Sequence, residues 1–376
     1  MRTILYSPAG KVHPVEWNLI NYPPEGYQFI VQESKLSKLV NNSFIFDNIR
    51  LQILDRLLPL NLVKGILDSK SLPDMPIYSY NHIVRDKPYI LHAEWASILI
   101  GRNNLYTTLL KNYLKKELEK EECKKILTWT NLASASLIHL YGIPRDKIVV
   151  LPPCVPSRNI ERDYNKDKIK ILFIGSANQS NDFEEKGGNL VLKVFSKLKE
   201  KYQDRVELVI KAKVPKHSFQ EGVTIINGYL PSLCLEKLYR RADIFFLPTL
   251  LYQNTSVIEA ASYGLPIVTT SIGSAFEEYL EDEVSCLSRG SMDSDLVNGI
   301  LHTETTKRSK KVKRELLRGE YVEEGFFYDL CRLVEEPRLR KFLGENAKKE
   351  VDYGRFSIDN RNKRLEEIFD ETLRQV

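Results

Sequence analysis

The sequence predicts an α/β protein of two domains, and three observations carry that expectation. Short apolar runs alternate with amphipathic stretches along most of the chain, the rhythm of strands and covering helices. The 376 residues are long for one hydrophobic core and comfortable for two. A proline-rich and then polar stretch near residues 152–168 separates two blocks that share the same alternation.

The first strand is expected over "RTILYS", ending at Pro8, Ala9 and Gly10. A loop there lies at a strand's carboxyl end, where open α/β sheets bind ligands, so Gly10 either borders a substrate or makes an ordinary first turn. "QFIVQ" reads as a second strand, and residues 44–63 read as helical until Pro59 interrupts them. That apolar segment packs internally, or else meets a partner or a lipid interface. "KPYILHAEWASILIG" is strand-like and turns polar at His92 and Glu94. His92 then stands near a strand end, where an imidazole positions a hydroxyl or supports charge; the alternative is a histidine satisfied in a structural network. His13 and His82 follow less clear strand patterns. Residues 110–125 are a charged helical segment with a solvated face, and "KILTWTNLASASLIHLYGIPRDKIVVLP" reads as strand, loop, helix, turn and strand.

The boundary falls between about residues 156 and 168, at Pro152, Pro153, Pro156 and "SRNIERDYNKDK". "IKILFIGS", "GGNLVLKVFSKLKEKY" and "RVELVIKA" then supply strand, helix and strand of a βαβ unit. Lys186, Gly187 and Gly188 stand at the expected helix start. Exposed amides, a helix terminus and one cation make a phosphate site there, although a plain loop has the same triplet. Further strands and helices follow, with Leu233, Leu235 and Leu238 expected as a buried stripe on "PSLCLEKLYRRA". Asn254, Thr255 or Ser256 can cap the helix that follows "DIFFLPTL" and present amides to an anion. Glu259, one turn on, can hydrogen-bond a ligand's hydroxyls, or can serve a cap or an internal ion pair.

Composition excludes several classes. With 43% hydrophobic and 28% charged residues the chain is neither disordered nor fibrous. A net charge of +5, from 55 Lys and Arg against 50 Asp and Glu, is weak evidence for a polyanionic partner, and no nucleic-acid module accompanies it. The amino-terminal segment is too polar for a signal peptide, and no apolar run reaches the roughly 20 residues of a membrane span. The five cysteines are widely separated, suggesting neither a zinc cluster nor a disulfide framework and fitting a reducing, cytoplasmic setting. No metal site is indicated. The segment "KRSKKVKRELLR" at 307–318 offers contact with anionic lipid at the inner membrane face, against a solvated helix or insertion.

Taken together, "LPTLLYQNTSVIEAASYGLPIVTTSIGSAFEEYLEDEVSCL", "ILFIGSANQSNDFEEKGGNLVLKVFSKL" and "ASASLIHLYGIPRDKIVVLPPCVP" resemble the donor-domain signature, the diphosphate-binding unit and the domain junction of retaining nucleotide-sugar glycosyltransferases of family 4. The resemblance covers about residues 130–290. It implies a GT-B fold of two Rossmann-like domains facing across a cleft: 1–156 on the acceptor side, 157–350 on the donor side, and 351–376 as a helix crossing back. It further implies that His92, Lys186 and Glu259 serve catalysis. Lys186 would contact the donor diphosphate, Glu259 the ribose, and amides around Asn254, Thr255 and Ser256 a phosphate. Gly10 would approach the donor, and Gly228 and Tyr229 would lie beside the base. No cofactor is implied beyond the nucleotide-diphosphate sugar, which is a substrate, and the mechanism needs neither a covalent intermediate nor an obligatory metal.

Three departures bear on that reading. The family's first glutamate, eight residues before Glu259, is Leu251 here, with Tyr252 beside it. Ser176 and Glu185 stand where basic residues are frequent, and Lys211, at a strand end, is a compensating cation. The expected function is therefore sugar transfer to a glycan, lipid-linked or other glycoconjugate acceptor. The alternatives are a noncatalytic nucleotide-sugar-binding partner in a glycan assembly complex, or a related hydrolase or epimerase.

Overall fold

The computed structural model describes residues 1–8, 12–32, 58–100, 104–175, 181–215, 220–249, 254–270, 280–290 and 320–373. Expectations for Gly10, for residues 44–57, for Ser176, Leu251 and Tyr252, and for the basic segment 307–318 lie outside these residues. The chain divides into two compact units. Among the described residues, one comprises Met1–Cys154 with the last helix from Ile358, and the other runs from Val155 to Ser357.

The first unit holds a parallel sheet of β1 (Arg2–Pro8), β2 (Tyr27–Val31), β3 (Ile77–Tyr80), β4 (Tyr89–His92), β5 (Cys123–Thr128) and β6 (Ile148–Val150), in the order β2-β1-β3-β4-β5-β6. Its helices are α1 (Pro14–Asn21), α2 (Leu60–Ser69), α3 (Asn104–Leu109), α4 (Lys111–Glu119), α5 (Asn131–Tyr141) and, from the far end of the chain, α12 (Ile358–Leu373). Side chains alternate across a strand, so each strand feeds two cores. Leu5, Ile77, Leu91 and Ile126 point into one; Ile4, Tyr6, Tyr78, Ile90 and Leu127 point into the other, which Leu365, Ile368 and Phe369 of α12 close. Local chemistry sets the helix ends. Thr130 accepts a hydrogen bond from the Ala133 amide at 2.9 Å to start α5, and Gly142 in the left-handed region (φ 66°) ends it. His13 caps α1, accepting from the Val15 amide at 3.3 Å, with Pro14 in the first turn. Pro59 stands outside the helix at the N-cap of α2, and the residues before it that were expected to be helical lie almost wholly outside the described ones.

The second unit holds β7 (Ile169–Ile174), β8 (Val206–Lys211), β9 (Val223–Ile226), β10 (Ile244–Leu247), β11 (Ile267–Thr270) and β12 (Leu287–Arg289), parallel in the order β12-β11-β10-β7-β8-β9. Counted from β7 this is the Rossmann order. Its helices are α6 (Asn181–Glu185), α7 (Gly188–Tyr202), α8 (Ser232–Arg241), α9 (Thr255–Ser262), α10 (Glu320–Glu335) and α11 (Pro337–Asp352). The inner strands β7, β8, β10 and β11 are buried on both faces, which explains their near-continuous apolar runs. On α8 the expected stripe is displaced. Leu233 is 72% exposed, because Leu235, Leu238, Tyr239 and Ala242 make the face that meets the core and Leu233 lies off that face in the first turn.

The polar stretch after the boundary prolines is a strap laid on the second unit. Arg162 donates to the backbone carbonyls of Tyr239 (2.7 Å), Ala242 (2.6 Å) and Tyr263, tying together the last turns of α8 and α9. The Tyr164 hydroxyl donates to the Gly264 carbonyl at 3.0 Å, Lys166 pairs with Asp243 at 2.7 Å, and Arg340 of α11 reaches the Tyr164 carbonyl. No helix among the described residues is long and apolar enough to cross a membrane.

Candidate donor site at the strand-order switch

In an open parallel sheet a ligand sits beyond the carboxyl ends of the strands, where the strand order reverses. In the second unit that point lies between β7 and β10, the two central strands. The turn before α7 meets the end of β10 there. Gly187 lies in the left-handed region (φ 81°), and a Cβ on it would stand 2.2 Å from the Pro248 carbonyl oxygen. A Cβ on Gly188 would stand 2.3 Å from the Phe183 ring. Both glycines are thus required for close approach to protein atoms, and they set the start of α7, whose first amides have no intrahelical acceptor. The neighbouring β7 is followed by Gly175, whose amide donates to the Lys211 carbonyl at 2.9 Å.

Lys186, before α7, and Glu259, on α9, both lie at this end of the sheet, and the positive charge of Lys186 acts on the Glu259 carboxyl. Glu259, half-buried on α9, accepts a hydrogen bond from the Tyr239 hydroxyl at 2.7 Å on Oε2. Burial raises its pKa; the Tyr239 hydrogen bond and the positive charges of Arg158 and Lys186 pull it back down. Oε1 takes no hydrogen bond from any described residue. Glu259 therefore has neither of the roles set against ligand binding: it caps no helix and makes no direct ion pair. Asn254 stands at the N-cap of α9, but its side chain donates to Thr249 Oγ1 at 3.1 Å and leaves the cap unmade. Thr255 opens the helix, and the Ser256 hydroxyl is buried without a partner. Among the described residues no side chain caps the amino end of α9.

Lys211 ends β8 and is only 8% exposed. Burial lowers its pKa, and no described residue offers it a hydrogen bond or an ion pair. On the far side of β8, the turn after β9 carries Gly228 (φ 83°, with nothing within 4 Å of a Cβ) and Tyr229, which is 83% exposed. A free aromatic face beside an open backbone suits stacking with a planar ring. Among the described residues no group of three or more His, Cys, Asp or Glu is placed to hold a metal ion.

His92 lies in the first unit, at the end of β4. Its register parity with Ile90 turns it into the core face under α1 and α12, and it is 2% exposed. Nδ1 shares a 2.7 Å hydrogen bond with the Tyr78 hydroxyl and lies 3.5 Å from Glu16 Oε1; Nε2 is buried without a partner. Burial pushes His92 down to about 3 and Glu16 up to about 8, so both are neutral at pH 7 and their contact is not an ion pair. This enclosure opposes a direct substrate contact. His82, at the β1–β3 switch, is equally enclosed, with Nε2 3.1 Å from Ser7 Oγ.

The strap was missed as part of this neighbourhood, because a run of charged residues after prolines reads as a solvated linker. Two parallel six-stranded sheets with flanking helices, one in Rossmann order, define the GT-B fold, and comparison with solved structures agrees. Sucrose-phosphate synthase from Thermosynechococcus elongatus superposes with a TM-score of 0.65 at 10% identity, over 100% of this chain and 100% of that one. HepE of Anabaena in complex with UDP and glucose gives 0.62 at 13% identity, over 99% and 100%. A glycosyltransferase from Rickettsia africae gives 0.57 at 15% identity, over 100% and 99%. Residues 168–303 match the family described as Glycosyl transferases group 1, so the second unit carries such a domain. No curated protein sequence matches the chain.

Proposed function

We propose that the protein is a retaining glycosyltransferase that moves a sugar from a nucleotide-diphosphate sugar to a glycan, lipid-linked or other glycoconjugate acceptor. The observation that carries this reading is the placement of the Lys186–Gly188 turn and Glu259 at the switch point of a Glycosyl transferases group 1 domain. The diphosphate would lie against Lys186 and the amino ends of α7 and α9, with Lys211 as a second cation. These groups stabilise negative charge growing on the leaving phosphate, where fixed dipoles and charges need no reorganisation. Glu259, held on one oxygen by Tyr239, would accept ribose hydroxyls on the other. Tyr229 would stack on the base, with Gly228 leaving room for it. Transfer retains the anomeric configuration, without a covalent intermediate.

Related structures support a nucleotide-sugar donor: HepE has been determined with UDP-glucose, and the pneumococcal O-GlcNAc transferase GtfA with UDP and GlcNAc. WaaG, another structural neighbour, is involved in lipopolysaccharide biosynthesis, which supports a glycolipid acceptor. Leu251, in place of an acidic residue, favours a second reading, a nucleotide-sugar-binding partner that does not turn over. A thermal-shift screen of UDP-, GDP-, ADP- and dTDP-sugars, repeated with Lys186→Ala and Glu259→Ala, tests the donor site. Stabilisation by one class, lost in both variants, is expected; no stabilisation by any donor refutes the reading. Donor binding without product across an acceptor panel selects the second reading.

A further inference from the structure

Arg158 has a place that neither its sequence context nor the donor reading assigns. It lies on the strap and is half-buried, with its guanidinium carbon 5.7 Å from the centroid of the Tyr263 ring, at the end of α9. Tyr263 stacks on Tyr239 with ring centroids 5.1 Å apart and planes 8° from parallel. Tyr239 in turn donates the 2.7 Å hydrogen bond to Glu259. Arg158 itself makes no hydrogen bond or ion pair with any described residue; its positive charge acts on Glu259 and also on Glu236 of α8. Arg162, four residues on, clamps the ends of the two helices that carry Tyr239 and Glu259.

We propose that Arg158 is a positioning residue of the donor site, seated on the Tyr263–Tyr239 stack so that its positive charge backs the Glu259 carboxylate that would accept ribose hydroxyls. This rests on the donor reading above. The physical need for such a cation is plain. A carboxylate drawn out of water reverts to its neutral acid unless positive charge stands near it, and a protonated Glu259 accepts hydrogen bonds poorly. The groups that act on Glu259 are Tyr239 from α8, Arg158 from the strap and Lys186 from the turn before α7; α11, which packs on α9, contributes none among the described residues. Glu236 and Arg240 of α8 face the same stack, but they pair with each other at 2.7 Å. Lys186 is committed to the diphosphate in the donor reading. Arg158 therefore remains as the cation that serves Glu259.

The test measures Glu259 without any ligand. The stability gained on Glu259→Gln is followed against pH in the wild-type and Arg158→Gln backgrounds. Because the folded carboxyl has a raised pKa, its ionisation costs stability as pH rises between the unfolded and folded values, and the Gln variant escapes that cost. In Arg158→Gln the gain is expected to be larger and to keep growing to a pH about one unit higher, the usual effect of removing an opposite charge. Arg158→Lys restores the wild-type profile, and it serves as the folded control should Arg158→Gln fold poorly. UDP, GDP, ADP and dTDP are then titrated calorimetrically. The acid limb of affinity is expected to move upward by the same amount in Arg158→Gln, while the two proteins converge where Glu259 is protonated in both. Identical Glu259→Gln gains in the two backgrounds overturn the inference, whether or not a nucleotide binds. Different gains with no nucleotide bound by the wild-type protein uphold the coupling and refute the donor reading.

Discussion

Replacing Gly187 with alanine tests whether the switch point is built by close backbone approach. The new Cβ would stand 2.2 Å from the Pro248 carbonyl oxygen and 2.8 Å from Pro248 Cγ, at a residue with φ 81°. Gly228 supplies the control: its φ is 83°, yet nothing lies within 4 Å of a Cβ there. Left-handed backbone costs an alanine about 1–2 kcal/mol at either position, offset at both by the stiffer unfolded chain. Gly187→Ala adds the cost of moving a packed carbonyl by more than an ångström, about 1–3 kcal/mol by analogy with overpacked cores. For a unit of this size each kcal/mol lowers the midpoint by about 2–4 °C, so Gly187→Ala should melt about 2–12 °C below Gly228→Ala. Differential scanning calorimetry is the assay, because two units need not unfold in one step. Gly187→Ala should also lose nucleotide affinity with Lys186 and Glu259 still present. Equal midpoints for the two variants, or wild-type affinity in Gly187→Ala, would refute the reasoning.

Three further outcomes are expected. Lys211→Met should stabilise the unliganded protein at pH 7, since it removes a buried, unpartnered charge, while weakening diphosphate binding about tenfold; the gain should shrink as pH rises toward 10.5, where the unfolded lysine also loses its proton. A gain independent of pH would be inconsistent with this origin. Arg162→Leu strands three carbonyls at the ends of α8 and α9 and should cost about 3–5 kcal/mol in thermal or urea unfolding; a loss below 1 kcal/mol would show that the clamp is idle. Burial holds His82 at about 4 and His92 at about 3, so both lower the first unit's stability as pH falls below about 6.5. Glu16, raised to about 8, lowers it as pH climbs from its ordinary value toward 8. These three groups together place their optimum near pH 6.5, and His92→Gln should remove about 1.4 kcal/mol per pH unit from the acid slope between pH 4 and 6. An unchanged slope would show that His92 is not held neutral.

Much of the architecture is legible because strands β1, β4, β5, β7, β8 and β10 are buried runs and because Thr130 and Gly142 are chemical punctuation for α5. β3 escapes notice: Ile77–Tyr80 has a serine in its middle and prolines upstream, although all four residues are buried. The Lys-Gly-Gly turn and Glu259 are legible as candidate site residues, but the reason for Gly187 is not, since the contact it permits is with Pro248, some sixty residues away in sequence. His92 is the converse case. Its type and place suggest chemistry, while its parity with Ile90, also readable in the sequence, directs it into a core closed by α12. The strap is the least legible part, because Arg158 and Arg162 resemble solvated charges until the helix ends and the tyrosine stack they meet are in place.

The central claim is that the nucleotide diphosphate is held at the β7–β10 switch, with its phosphates at the turn 186–188 and its ribose on Glu259. A crystal structure of the protein with whichever nucleoside diphosphate binds tightest tests it directly. Phosphate oxygens within hydrogen-bonding distance of Lys186 Nζ and the first amides of α7, and a ribose hydroxyl on Glu259, are predicted. A nucleotide bound elsewhere, or one that leaves both residues untouched, would contradict the account.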